Sequence, residues 1–152
     1  MDQIDRKILA ALQEDAGRPV ADIAADVGLS QSPCWRRIQK LEADGVIQRR
    51  VALLDPAQLN VGVTVFVAVR TAHHDLEWLE TFAHAVWDIP EIVEFYRMSG
   101  EVDYMLRVVV PDIAGFDAVY KKLIARVPLT DVTSSFAMEQ IKFTTALPLN
   151  YA

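Results

Sequence analysis

The chain has 152 residues, 52% of them hydrophobic, with 15 basic side chains against 21 acidic ones and a formal net charge of −6. That length allows one ordinary domain or two small ones, and the apolar share predicts that some surface faces another subunit. A chain acidic overall repels phosphate, so a nucleic-acid partner is excluded except at a local basic face.

The amino-terminal stretch "MDQIDRKILAALQED" carries Ile4, Ile8, Leu9 and Leu12 at helical spacing behind Asp2, a good N-cap. It lacks the apolar core and cleavage pattern of a signal peptide. Gly17 ends this helix, and Pro19 suits the first turn of a second whose apolar positions Val20, Ile23, Ala24 and Val27 close on Gly28 as a left-handed cap. Ser30 is the expected N-cap of a third helix, where Pro33 is harmless because first-turn amides have no intrahelical partner. Three short helices with a tight "VGLS" turn make a helix-turn-helix unit. Gly45 stops the third, and Val46 to Leu53 is expected to be extended, forming a wing.

The third helix and wing hold a basic island. From Gly28 to Arg50 there are five bases (Arg36, Arg37, Lys40, Arg49, Arg50) and two acids, Glu42 and Asp44. On this helix Cys34, Ile38 and Leu41 share the packing stripe, while Ser32, Arg36, Gln39 and Lys40 lie opposite. Gln31 and Trp35 flank the N-terminal end, beside the cap Ser30, and Arg37 lies near the edge of the stripe. N-terminal residues of a recognition helix reach base edges in the major groove, where Gln and Arg make paired hydrogen bonds. Lys40, Arg49 and Arg50 are placed to contact phosphate. Double-stranded DNA is the partner this pattern predicts. Cys34 is the only cysteine, which excludes an internal disulfide and a cysteine-based metal cluster within one chain.

"LLDPAQLNVG", residues 53–62, breaks any helical period and falls where the charge balance turns acidic. It divides the chain into a DNA-binding domain at 1–52, a linker at 53–61 and a second domain at 62–152. Beyond it come a β-rich run at 61–71, a helix at 75–87, a strand at 91–98, a turn at Ser99-Gly100, a strand at 102–110, a helix at 112–126 and a strand from about 132. The longest apolar run, "VGVTVFVAV", is far too short to span a membrane. A soluble cytoplasmic protein with no membrane partner is expected. The order β-α-β-β-α-β is that of a ferredoxin-like sheet with both helices on one face. Its bare face calls for a second copy of the chain as cover. The fold class is therefore α+β, a winged helix-turn-helix followed by a ferredoxin-like domain. His73, His74 and His84 are the only histidines and lack a matched acid or thiol cluster, so neither a metal site nor a cofactor is expected.

The whole chain resembles the Lrp/AsnC, or feast/famine, family of transcription factors. "IDRKILAALQEDAGRPVADIAADVGLSQSPCWRRIQKLEADGVI" resembles its winged helix-turn-helix, and "ALLDPAQLNVGVTVFV", "SGEVDYMLRVVVPD" and "TSSFAMEQIKFTTALPL" resemble its linker and effector-domain blocks in order. "FYRMSGEVDYMLRV" and "VTSSFAMEQIKFTTALPL" look most like its DecR-like, cysteine-responsive branch. The resemblance implies an amino-acid effector held in a RAM/ACT-like second domain at a subunit junction, and homodimers that stack into tetramers or octamers. It assigns the pocket to Gly100, Glu101, Asp103 and Tyr104, flanked by Met98 and Val102, with Thr133, Ser134 and Ser135 as donors. Where the family often has Gly-Asp-Tyr-Asp-Tyr, this chain has Gly-Glu-Val-Asp-Tyr, so effector identity does not transfer. Two alternatives belong to other classes. Sirohaem decarboxylases look like this family, but need basic or imidazole groups that the acidic second domain scarcely offers. A metabolite-sensing module without DNA binding would leave the basic face unexplained.

Overall fold

In the structure, a computed structural model that describes residues 1–152, α1 (Gln3–Glu14) starts in a reciprocal cap. Asp2 Oδ1 accepts the Asp5 N–H at 2.8 Å, and Asp5 Oδ2 accepts the Asp2 N–H at 3.0 Å. Pro19 stands one position ahead of α2 (Val20–Val27) as its cap residue. Gly28 ends α2 in the left-handed region at φ 75°, and the Leu29 N–H returns to the Ala24 carbonyl at 2.8 Å. Ser30 occupies the cap position of α3 (Gln31–Ala43) with extended backbone, though its hydroxyl makes no cap bond. The three helices bury Ile8, Leu9, Ile23, Ala24, Cys34, Ile38 and Leu41 in one small core.

Gly28 sets the direction in which α3 leaves α2. Nothing crowds the space where its Cβ would stand, so the obstacle to a side chain is the backbone conformation alone. Gly28→Ala is expected to destabilise this unit by about 1–2 kcal/mol, the usual penalty for an alanine in the left-handed region. Urea denaturation followed by circular dichroism checks it; a midpoint unchanged from wild type would refute it.

The expected wing is absent. After Gly45 (φ 74°), residues 46–55 contain no strand, and Arg49 and Arg50 lie on an exposed, unpaired segment. "VIQRRVAL" has residues suited to a strand, but a strand persists only when a neighbour pairs with it, and the Asp55-Pro56 turn brings none back.

The second unit is a four-stranded antiparallel sheet in the order β2-β3-β1-β4. Its elements are β1 (Val63–Arg70), α4 (Leu76–Trp87), β2 (Ile92–Arg97), β3 (Tyr104–Val110), α5 (Ile113–Arg126) and β4 (Asp131–Phe136). This is the ferredoxin-like order expected. Asp75 and Asp112 cap α4 and α5 by accepting the Trp78 and Gly115 amides at 2.8 and 2.7 Å. Alternate residues of the central strands, Val65, Val67 and Val69 with Leu106, Val108 and Val110, are buried against Phe82, Val86, Val119 and Leu123 of the helices. Phe66, Tyr96 and Met105 lie on the opposite face, where Phe66 remains 43% exposed although its strand is central. That face has no cover within the sheet unit. No helix is long and apolar enough to cross a membrane.

The sheet unit spans Leu54–Gln140, and Ile141–Ala152 joins the helices instead of extending the second domain to its expected end. Gln13 exchanges two hydrogen bonds with the Leu147 peptide, Nε2 to the carbonyl at 3.1 Å and Oε1 from the amide at 2.7 Å. Leu149 then packs on the helical core. Of this tail only Leu149 is half-buried, while Ile141, Phe143, Leu147 and Tyr151 stay exposed.

Candidate nucleic-acid interface and effector site

Helical periodicity puts Gln31, Ser32, Trp35, Arg36, Gln39 and Lys40 on the exposed side of α3, opposite the buried Cys34, Ile38 and Leu41. Trp35 is 52% exposed, so its ring is held at the surface near the helix N-terminus instead of contributing to the core. Ser30 is exposed just ahead of them. No ion pair engages Arg36 or Arg49.

The other bases are held by acids. Lys40 Nζ meets Asp44 Oδ2 at 2.7 Å, one turn along the helix. Arg50 meets Glu42 at 2.9 Å, and the other oxygen of Glu42 accepts Gln39 Nε2 at 2.9 Å. Arg37 turns the other way: its Nη1 contacts Asp2 and Asp5, both at 2.7 Å, tying α3 to the start of α1. The expectation that Arg37 belongs with the groove-facing residues is therefore corrected, because its position at the edge of the apolar stripe brings it beside two carboxylates.

The Asp5 amide and then the Arg37 guanidinium hold the Asp2 carboxyl below the usual carboxylate range. A carboxyl whose folded pKa is depressed adds stability above its unfolded pKa and loses it as pH falls through the folded one. Wild type and Asp2→Asn should thus differ in stability at neutral pH and converge in strong acid. Denaturation curves at both pH values check the sign; a gap that widens on acidification would contradict it.

The residues expected around an effector divide between the two faces of the sheet. The Tyr104 ring, 5% exposed, packs against Trp78, Phe82 and Phe95 in the core, with centroids 5.3 to 5.6 Å away, and lines no surface site. Ser134 is paired with Val67 on the helix side, whereas Thr133 and Ser135 are paired with Ala68 and Phe66 on the open face. Alternation along the strand forces this division of the three donors.

What remains gathers at one end of the sheet. Met98, Gly100 and Glu101 are exposed, Val102 and Asp103 half-buried, and Gly100 takes φ 117°, which suits glycine alone. Asp103 Oδ2 accepts the Thr71 amide at 2.8 Å, Thr130 Oγ1 accepts the Ala72 amide at 3.0 Å, and Arg70 meets Glu101 at 3.4 Å. The end of β1 therefore joins the start of β3 to the start of β4. Arg70, Thr71 and Thr130 were missed by sequence reasoning. Only Arg70 gave a signal, as a charge ending an apolar strand. The arrangement offers two acids for an ammonium, and a guanidinium and hydroxyls for a carboxylate.

Comparison with known proteins agrees with both halves. The AsnC-type helix-turn-helix domain matches residues 1–42, and the Lrp/AsnC ligand binding domain matches residues 64–147. The DNA-binding transcriptional activator DecR of Escherichia coli K12 is 49% identical over 150 residues, 98% of this chain and 99% of that protein. A crystal structure of an AsnC family transcriptional regulator from Agrobacterium tumefaciens superposes with a TM-score of 0.97 at 66% identity, covering 99% of each chain. A transcriptional regulator from Neisseria meningitidis, solved as its L-Met complex, gives 0.94 at 36% identity over 99% of this chain and 98% of that one. Matched through both domains, the chain belongs to the Lrp/AsnC family of DNA-binding transcriptional regulators, and it is a regulator and not an enzyme.

Proposed function

We propose that α3 enters the major groove of duplex DNA with Gln31, Ser32, Trp35 and Arg36 leading, and that Gln39, Lys40, Arg49 and Arg50 follow along the phosphates. The exposed, unpaired Arg36 on a side of α3 that packs on nothing carries this assignment. The chain acts as a homodimer that covers the open sheet face around Phe66, Tyr96 and Met105, and its two recognition helices read half-sites one or more helical turns apart. Further stacking into tetramers or octamers follows the family habit.

The effector is a free amino acid. Its ammonium is taken by Asp103 and Glu101, and its carboxylate by Arg70 with Thr133 or Thr130, at the sheet end just described. The relative solved with L-Met supports this class of ligand without choosing among its members. A thermal-shift screen of the proteinogenic amino acids, followed by DNA titrations with any hit, tests it. A stabilising amino acid that changes DNA affinity is the expected result. If no amino acid moves either readout, the sensory half of the proposal is wrong.

A further inference from the structure

We propose that Glu42 and Asp44 act as an internal brake on DNA affinity, holding phosphate-facing cations in ion pairs that duplex DNA must displace. The inference rests on the DNA-binding face assigned above. Gln39, Lys40 and Arg50 are all engaged by these two carboxylates, at 2.7 to 2.9 Å. Glu42 alone occupies one phosphate-contact cation and one polar side chain, each through a different oxygen. The groove-facing part of α3 is thereby divided into a free N-terminal half, led by Arg36, and a C-terminal half whose charge is cancelled internally.

The helix dipole does not account for these acids. Glu42 lies in the last turn of α3 and Asp44 is its C-cap, beside the negative end of the helix dipole, where carboxylates are unfavourable and only Lys40 has the suitable sign. Neither acid reaches the core, which is closed by Cys34, Ile38 and Leu41. Their partners are the groups a phosphate would want. When the backbone of DNA takes Lys40 or Arg50, counterions leave the duplex. The displaced carboxylate is left unpaired beside phosphate and draws a cation back, so the net release is smaller than the number of contacts implies. Weak non-specific binding and a shallow salt dependence follow, while contacts made by the free half keep their full effect.

The test uses the full-length chain and a labelled mixed-sequence duplex, titrated by anisotropy across a series of salt concentrations, with circular dichroism to confirm folding. Glu42→Gln and Asp44→Asn, singly and together, leave the first fifty residues with fewer acids than bases. Each single variant is expected to bind about three- to ten-fold more tightly at low salt, and the double variant to show a steeper salt slope. Unchanged or weaker binding by the folded variants overturns the proposal, since it would mean that the acids pre-orient the cations for phosphate. If the double variant does not fold, the single ones decide. A wild-type chain that binds no duplex at low salt fails differently, removing the DNA-binding face itself.

Discussion

Replacing Arg36 with alanine lowers affinity for a duplex selected by the protein from a random pool by about ten- to a hundred-fold, the effect of losing one groove contact worth roughly 1–3 kcal/mol. The side chain is exposed, belongs to no ion pair and lies opposite the buried stripe of α3, so its removal leaves the helical core intact. Arg37 provides the internal contrast. Its guanidinium is bound to Asp2 and Asp5, and Arg37→Ala should affect the stability of the unit before it affects a DNA contact. Gel-shift or anisotropy titrations with both variants separate the two roles. Equal affinity of wild type and a folded Arg36→Ala protein would remove the central assignment of the interface.

Asp103 has two duties, and substitutions can part them. As an acceptor for the Thr71 amide it fastens β3 to the end of β1, and Asp103→Ala leaves that amide without its partner at a cost of about 1–3 kcal/mol in stability. Asp103→Asn keeps an oxygen for the amide but removes the charge offered to an ammonium. It should weaken the amino-acid effector about ten- to a hundred-fold, as loss of a charge-assisted hydrogen bond does, with DNA binding in the absence of effector unchanged. Calorimetry on the asparagine variant is decisive. Normal effector affinity there would confine Asp103 to its structural duty and move the ammonium site to Glu101 or elsewhere.

Local signals in the sequence were sufficient at several helix ends, though not at Ser30, whose hydroxyl makes no cap bond. Asp2, Gly28, Asp75 and Asp112 terminate helices as their types and neighbours require. The apolar stripe of α3 likewise determined which side faces outward. The split sheet followed from element order because that order admits few antiparallel arrangements.

Charge partners were beyond such reading. Arg36 and Arg37 are adjacent and chemically identical, yet one is free and the other is tied across to residues 2 and 5, because direction around a helix meets neighbours that only packing supplies. The wing failed for a related reason: extended residues become a strand only when another strand arrives. The Tyr104 ring, the division of Thr133, Ser134 and Ser135 between faces, and the attachment of residues 141–152 to α1 were likewise decided by register and docking. Sequence by itself determined the elements, their order and the location of the basic helix, since caps, turns and periodicity act within a few residues. Tertiary structure decided which cations remain available and which donors share a face, since both depend on groups that are distant along the chain and close in space.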